Sequence, residues 1–226
     1  MAVESQTYAY LFDFAEDPIG LWDARAKIPG LKSVMSLGKS EQVLENETQI
    51  TRDRLFLELG DLTTKSVLEI GTGIGRFTGD LGNRASRAVS VDFSRKMLER
   101  ATQTNLNGAL LLQAAGQNLP FRDESFSTVF ESTVLIHALD DDIFKRFIEE
   151  SMRVLKPGGQ IVFCDPIAQK ESVQKHPYLK YRTASEYQSA AGIVIEDRGA
   201  LQLSTNSVNF LVGIKPSEPR QIPTIK

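Results

Sequence analysis

Short apolar segments alternate with amphipathic ones through the middle of the chain, between residues 61 and 165. Five of the apolar segments are predicted to be strands: 66–70, 88–92, 109–113, 126–131 and 160–164. They are continuous apolar runs, which is the pattern of parallel strands covered on both faces. The amphipathic segments between them predict helices at 75–83, 94–104 and 140–155. Strands that alternate with helices indicate an α/β fold with a doubly wound sheet.

The flanking segments follow other patterns. Residues 1–60 are amphipathic and interrupted by Pro18, Pro29 and Gly30, so we predict helices that stay outside the sheet. Segments 192–197 and 206–213 are strand-like with no helix between them, which favours an antiparallel pair at the sheet edge. Residues 215–226 are rich in proline and polar side chains, so we expect a flexible tail. The predicted divisions are therefore 1–60, 61–214 and 215–226.

Three glycines follow the first predicted strand at once: Gly71, Gly73 and Gly75. In sheets of this kind, ligands bind outside the carboxyl ends of the strands, and a glycine-rich turn lets the backbone approach them. Asp92 ends the second predicted strand, where a carboxylate is suited to accept the two hydroxyls of a ribose. The alternative is a turn with no ligand. The spacing G-x-G-x-G, with Arg76 in the sixth position, disfavours a nicotinamide dehydrogenase.

Composition narrows the classes of function. The 226 residues suit one domain, and 26 Lys+Arg against 29 Asp+Glu give a net charge of −3, which argues against a nucleic-acid partner. No apolar run of roughly 18 residues predicts a membrane span, and the N-terminal residues do not resemble a signal peptide. The single Cys164 fits a reducing compartment, so we expect a cytoplasmic protein. Two histidines and one cysteine without tight spacing predict no metal site.

Four segments together resemble the class I S-adenosylmethionine-dependent methyltransferases, most of all the small-molecule branch with a single domain. They are 67–77 (VLEIGTGIGRF), 89–101 (VSVDFSRKMLERA), 118–133 (NLPFRDESFSTVFEST) and 153–163 (RVLKPGGQIVF). The resemblance covers about residues 60–165. It implies a Rossmann-like, mostly parallel seven-stranded sheet with an antiparallel edge strand, an N-terminal helical lid and S-adenosylmethionine as cofactor.

The resemblance also implies a set of cofactor-binding residues: Glu69, Gly71, Thr72, Gly73, Gly75, Asp92, Phe93, Met97, Ala115, Gly116, Gln117 and Glu131. The Glu69 position lies near the methionyl amino group in the family, and Asp92 holds the ribose. For Glu69 the alternative is a carboxylate that caps backbone amides, and for Asp92 it is a helix N-cap. Phe93 and Met97 match positions that cover the adenine, although Met97 fits helix core packing nearly as well.

Two positions depart from the family pattern. Ala115 stands where the family often has an acid that accepts from the adenine amino group, so adenine recognition would rest on Gly116 and Gln117. Glu131 is unusual after the fourth strand, where the family uses backbone to meet the methionyl ammonium. Its side chain is expected to reach cofactor or substrate.

On the acceptor side, His137 matches a histidine common in this loop of the family. It is either a general base or a hydrogen-bonded structural residue. Further candidates for binding the acceptor are aromatic or polar: Tyr8, Trp22, Asp165, His176 and Tyr181. Asp165 also fits a turn before Pro166, and the aromatic lid residues also fit simple packing. Arg25 is a candidate partner for the cofactor carboxylate.

The reaction implied by the resemblance is an in-line displacement of the sulfonium methyl group by an oxygen, nitrogen or carbon of a small-molecule acceptor. Most of its catalysis comes from positioning the reactants, and a base is needed only if the acceptor arrives protonated. The alternative is a relative of the same fold that binds S-adenosylmethionine without methyl transfer, which the missing acid at Ala115 favours slightly. The oligomeric state stays open.

Overall fold

A computed structural model describes residues 17–217. A seven-stranded sheet forms its centre. Its strands are β1 Ser66–Ile70, β2 Arg87–Asp92, β3 Leu110–Gln113, β4 Phe126–Ser132, β5 Leu155–Asp165, β8 Ile195–Gln202 and β9 Ser207–Ile214. They lie in the order β3-β2-β1-β4-β5-β9-β8. β1 to β5 pair in parallel, and β9 runs antiparallel to both of its neighbours, β5 and β8. The predicted α/β fold with a doubly wound, mostly parallel sheet is thus confirmed.

The helices lie on both faces of the sheet. Their bounds are α1 Pro18–Arg25, α2 Glu41–Leu59, α3 Thr78–Arg84, α4 Arg95–Ala101, α5 Asp141–Val154 and α6 Ala184–Ala191, with 3-10 turns at Gly30–Ser33 and Leu135–His137. α2 and α3 bury Leu55 and Leu81 against one face of the sheet. α5 and α6 bury Phe147 and Tyr187 against the other. Such double coverage explains the apolar runs of the central strands.

Side-chain caps decide where two of the helices begin. The hydroxyl of Ser94 accepts the amide of Met97 and starts α4. The carboxylate of Asp140 accepts the amide of Ile143 and starts α5. Each cap satisfies an amide that has no partner within its own helix. These caps fix the first turns of the helices that follow β2 and β4.

Connections leave the sheet in opposite directions from β1 and from β4. After β1 the chain moves to β2 and β3, whereas after β4 it moves to β5 on the other side. The carboxyl ends of β1 and β4 are adjacent, because Ile70 lies opposite Glu131 in the parallel register. A crevice forms at such a switch point, and ligands of doubly wound sheets bind there.

Several element boundaries differ from the predicted ones. α3 begins at Thr78 rather than at residue 75, because Gly75 has a φ of 84° and cannot continue a right-handed helix. β8 begins at Ile195 rather than 192, because Gly192 ends α6 in a left-handed conformation. A hairpin of β6 (Val173–His176) and β7 (Leu179–Tyr181), which we did not predict, follows β5. Its exposed polar sequence lacks the apolar signal of a strand.

The ends of the described chain are tied to the domain. Arg100 in α4 donates hydrogen bonds to the carbonyls of Ala26, Ile28 and Gly30, which fixes the N-terminal segment. Lys215, at the start of the predicted tail, donates to the carbonyls of Met152 and Leu155. No helix among residues 17–217 is long and apolar enough to cross a membrane.

One buried ion pair joins α2 to the distant edge of the sheet. The carboxylate of Glu47 lies 2.8 Å from the ammonium of Lys39 and accepts from both the amide and the hydroxyl of Ser204, between β8 and β9. We expect Glu47→Ala to lower the free energy of unfolding by about 2 kcal/mol, because it removes the partner of the partly buried Lys39 and the acceptor of two Ser204 hydrogen bonds. Urea denaturation measures this loss.

The matched control is Glu45→Ala, an exposed glutamate on the same helix. It should change the free energy of unfolding by less than about 0.5 kcal/mol. Equal effects of the two substitutions would contradict the role assigned to Glu47.

Candidate functional site

The turn after β1 adopts a conformation that requires glycine. Gly71 and Gly73 have φ values of 80° and 55°. A Cβ on Gly71 would lie 2.2 Å from a methyl group of Val134, in the loop after β4. The amides of Gly71 and Thr72 both donate to the carbonyl of Val91, at 2.8 and 3.0 Å. The turn is therefore held over the end of β2 and against the loop that follows β4.

Glu69 lies beneath this turn. Its Oε2 atom accepts hydrogen bonds from the hydroxyls of Ser90, Thr78 and Thr72, at 2.6, 2.8 and 3.2 Å. Burial raises the pKa of this carboxyl, and the three hydroxyls counter the shift. Glu69 thus connects β1, β2 and the start of α3 from inside the protein.

Asp92 ends β2 at the edge of the turn. Its carboxylate accepts from the amide of Gly73 at 2.8 Å and from the amide of Ser94 at 2.9 Å. Only 8% of the residue is exposed, and this burial raises its pKa to about 6. Ser94 is the N-cap of α4, so Asp92 does not act as the cap that the alternative interpretation suggested.

A cavity of about 490 Å³ opens at these strand ends, a size typical of small-molecule sites. Most of its surface is apolar, with a few polar groups that converge on the glycine turn. Eleven of the predicted site residues line it: Trp22, Gly71, Thr72, Gly73, Asp92, Phe93, Met97, Ala115, Gly116, Gln117 and His137. The cavity joins the turn, the ends of β2 and β3, the loop after β4 and helix α1.

The part of the cavity that follows β2 and β3 has a largely apolar lining. Phe93 and Met97 stand on one side, and Gly116 packs so closely on Phe147 that a Cβ would lie 2.1 Å from its ring. Ala115 lines the same part of the cavity and supplies no side-chain acceptor. Met97 is 1% exposed, so it both lines the cavity and packs in the core.

His137 lies on the opposite side of the cavity, in the 3-10 turn after β4. Its Nδ1 atom lies 3.0 Å from the carbonyl oxygen of Tyr178, a geometry in which the ring nitrogen donates. The ring meets Trp22 edge to face at a centroid distance of 5.0 Å. Burial lowers the pKa of His137 to about 4, although the Tyr178 carbonyl opposes this shift. The imidazole is therefore neutral at pH 7.

Two carboxyl groups are buried side by side behind this loop. Glu131 accepts from the amides of Val134 and Cys164, at 2.8 and 3.2 Å. Asp165 accepts from the hydroxyl of Tyr187 at 2.7 Å. Burial and the nearby charge of Asp165 raise the pKa of Glu131 well above its ordinary value, and burial raises the pKa of Asp165 to about 6. This acid pair fixes the loop after β4 onto β5.

Comparison with known protein families agrees with the sheet order, because both indicate a methyltransferase. Residues 68–163 match the family described as "Methyltransferase domain". Together with the sheet order and the glycine turn, this match decides the family. Residues 68–163 are thus similar to the domain of S-adenosylmethionine-dependent methyltransferases, and the match covers less than half of the chain.

Curated relatives match this chain over only part of their own length. Phosphoethanolamine N-methyltransferase 1 of Triticum aestivum is 26% identical over 145 residues, which are 62% of this chain and 28% of the relative. Demethylmenaquinone methyltransferase of Corynebacterium urealyticum is 34% identical over 115 residues, 51% of this chain and 46% of the relative. The chain thus spans less than half the length of these curated relatives.

A solved structure shows the same fold. It is phosphoethanolamine N-methyltransferase 1 of Haemonchus contortus, in complex with phosphoethanolamine and S-adenosylhomocysteine. The TM-score is 0.70 at 23% identity, and the match covers 87% of this chain and 48% of that one. The chain therefore shares the fold of that structure over most of its length.

Some predicted site residues do not line the main cavity of the methyltransferase domain. The carboxyl groups of Glu69, Glu131 and Asp165 are buried and hydrogen-bonded within the protein. The Glu131 side chain turns toward backbone amides rather than toward the cavity, as its position on the inner face of β4 dictates. Gly75 lines a separate open cleft of about 370 Å³.

The remaining predictions concern the segment after β5 and the N-terminus. His176 and Tyr181 lie on the β6–β7 hairpin and do not line the cavity, whereas Tyr178 of the same hairpin contacts His137. Tyr8 lies outside the described residues. The guanidinium of Arg25 donates to the carbonyls of Lys32 and Ser33, so it holds its own loop instead of facing a ligand.

Sequence reasoning missed several residues that line the cavity. They come from distant elements: Ile19, Val34, Arg76, Thr133, Val134, Ile143 and Phe147. Arg76 followed the glycine turn in the sequence, and its place beside the third glycine was the available signal. The others, apolar except for Thr133, belong to helices and loops, and only tertiary packing brings them together.

The low pKa of His137 predicts how the stability of the methyltransferase domain responds to acid. A depressed histidine pKa means that the unfolded chain binds the proton more readily than the folded one. The stability that the domain gains from keeping His137 neutral is therefore fully present above about pH 6.5. It is lost as the pH falls toward 4, by up to about 3 kcal/mol in the free energy of unfolding. Asp92 and Asp165, whose pKa values are raised, contribute in the opposite direction.

Comparing His137→Gln with the parent protein therefore isolates the effect of His137 on the pH dependence of the free energy of unfolding. We expect the variant to lose less stability between pH 6.5 and 4.5 in urea denaturation. His176→Gln, on the exposed hairpin, is the control for the loss of an imidazole. Parallel pH profiles for His137→Gln and the parent protein would show that His137 is not buried in its neutral form.

Proposed function

We propose that this protein transfers a methyl group from S-adenosylmethionine to an oxygen, nitrogen or carbon of a small-molecule acceptor. The observation that carries the proposal is the convergence of the glycine turn and the Asp92 carboxylate on one cavity at the switch point of the sheet. The family of the domain supports the donor, and the relatives named above support a small acceptor.

The residues present fit S-adenosylmethionine. The turn needs glycines at φ values that other residues rarely adopt, and it leaves the backbone exposed to the cavity. Asp92 is positioned to accept both ribose hydroxyls. Phe93, Gly116 and Gln117 line the cavity and would hold the adenine. The glycine turn and the loop after β4 would hold the amino-acid half.

The acceptor would occupy the part of the cavity beside Trp22 and His137. Both side chains line it, and the indole packs on the imidazole edge. Apolar walls from Leu139 and Ile143 continue this region and exclude water. A flat or apolar acceptor with one polar reacting atom suits such a surface.

Bound S-adenosylmethionine supplies a sulfonium methyl group that is already activated for displacement. The protein's contribution is to orient the two reactants and to keep water out. His137 is neutral at pH 7, and its Nδ1 proton faces the Tyr178 carbonyl, which leaves the basic lone pair on Nε2. We propose that His137 contacts the acceptor; because its pKa is about 4, it would be only a weak base toward an acceptor that arrives protonated.

A second candidate is a protein of the same fold that binds the cofactor without methyl transfer. Ala115 favours it slightly, because its side chain offers no acceptor where the family often has an acid. Cofactor turnover with an acceptor library separates this candidate from the methyltransferase.

Binding of the cofactor product tests the shared part of both candidates. By titration calorimetry, we expect wild-type protein to bind S-adenosylhomocysteine and S-adenosylmethionine but not NAD. Asp92→Ala should weaken S-adenosylhomocysteine at least about 100-fold, since it removes two hydrogen bonds to a charged acceptor.

The control is Asp23→Asn. This neighbouring carboxylate accepts from Ser94 but does not line the cavity, so its loss should leave the affinity nearly unchanged. Wild-type protein that binds neither adenosyl compound would sink the methyltransferase proposal.

The raised pKa of Asp92 predicts that cofactor affinity depends on pH. Ribose hydroxyls donate to the ionised carboxylate, so binding favours the unprotonated form. Affinity for S-adenosylhomocysteine should be constant above about pH 6.5 and fall toward tenfold per pH unit below the pKa of about 6. Calorimetry between pH 5 and 7.5 measures this dependence.

Two variants test whether Asp92 is the group that causes the change in affinity near pH 6. Asp92→Asn should bind weakly with no inflection near pH 6. Asp165→Asn should keep the inflection, because Asp165 has a pKa of about 6 but lies behind the cavity wall. An inflection that disappears in Asp165→Asn and persists in Asp92→Asn would refute the assignment.

A further inference from the structure

Arg76 follows the glycine turn and is partly buried at the junction of two cavities. It lines the main cavity and also the neighbouring cleft that contains Gly75. Its guanidinium stacks over the ring of Phe77, 4.7 Å from the centroid. Within residues 17–217, no carboxylate or carbonyl accepts a hydrogen bond from this guanidinium. Arg76 thus lines the cavity as a cation that has no hydrogen-bonding partner among the described residues.

The nearby arginines are engaged in another way. Arg25 donates to main-chain carbonyls of its own loop. Arg52 lies 2.9 Å from the carboxylate of Asp80 and donates to Gln49. Arg76 differs because Glu69, the acid whose charge acts on it, already accepts three hydroxyl hydrogen bonds. A buried charge without a partner is costly, so this position favours an anionic ligand.

The order of groups along the strand ends indicates which anion this is. Asp92 stands at the end of β2, and the glycine turn follows at the end of β1. Arg76 follows the turn directly in the chain and lines the same cavity. A ligand whose ribose is held at Asp92 and whose chain crosses the turn therefore brings its other end to Arg76.

We propose that Arg76 binds the carboxylate of the amino-acid half of S-adenosylmethionine and S-adenosylhomocysteine. This inference rests on the proposed function. A guanidinium matches a carboxylate in geometry and forms paired, charge-assisted hydrogen bonds with it. Arg76 is then a specificity residue, which distinguishes complete cofactor from adenosyl compounds that lack the carboxylate.

Two ligands that differ only in that carboxylate provide the test. They are S-adenosylhomocysteine and S-adenosyl-3-thiopropylamine, its decarboxylated form, titrated by calorimetry into wild type and Arg76→Gln. The substitution should weaken S-adenosylhomocysteine roughly 10- to 100-fold, as expected for a hydrogen-bonded charge pair. Affinity for the decarboxylated compound should stay within about threefold or improve, since its ammonium no longer faces a cation.

Two further variants sharpen the result. Arg76→Lys keeps the charge but not the paired geometry, so its affinity for S-adenosylhomocysteine should be intermediate. Arg54→Gln removes an equal charge from α2, where Arg54 pairs with Glu58 away from the cavity. It should bind both ligands as wild type does.

The outcomes are distinct. Equal weakening of both ligands in Arg76→Gln, or no weakening of either, would overturn the inference and leave the proposed function intact. If Arg76→Gln does not fold, the affinities of wild type and Arg76→Lys for the two ligands test the inference instead. Equal affinity of wild type for both ligands would then overturn it. Wild type that binds neither ligand would remove the proposed function itself.

Discussion

The carboxylate of Asp92 holds the parts of the site in their relative positions. It accepts from Gly73, in the turn after β1, and from Ser94, at the start of α4. These two bonds link consecutive βα units at their carboxyl ends, where the cavity opens. Because the carboxylate is nearly buried, the bonds are strong and the cost of ionisation is high. The same group is therefore a structural link and the polar centre of the proposed ribose site.

Four acids lie at or near the carboxyl edge of the sheet, and their environments separate their roles. Glu69 is surrounded by hydroxyls, and Glu131 with Asp165 forms a pair behind the loop after β4. Asp92 is the one of the four that lines the described cavity. Burial raises the pKa of all four. The acids behind the cavity shape its wall, while Asp92 meets the ligand space directly.

The N-terminal segment is part of the site as well as a cover for it. Arg100 fastens residues 26–30 to α4, and Asp23 accepts from the hydroxyl of Ser94. Trp22 is thereby held against His137 across the cavity. The described part of this segment is thus anchored by hydrogen bonds to the helix that begins beside Asp92.

The sequence by itself determined the sheet, the glycine turn and the place of Asp92, because hydrophobic periodicity and turn chemistry act over a few neighbouring residues. It correctly placed Gly71, Gly73 and His137 at one cavity, since the carboxyl ends of parallel strands meet at one edge. Only the tertiary structure decided that Glu131 turns inward and that Arg25 holds its own loop. It alone placed Arg76 and Phe147 at the cavity. Those outcomes depend on which polar groups meet in space, and hydrogen bonds between distant segments leave no periodic trace in the chain.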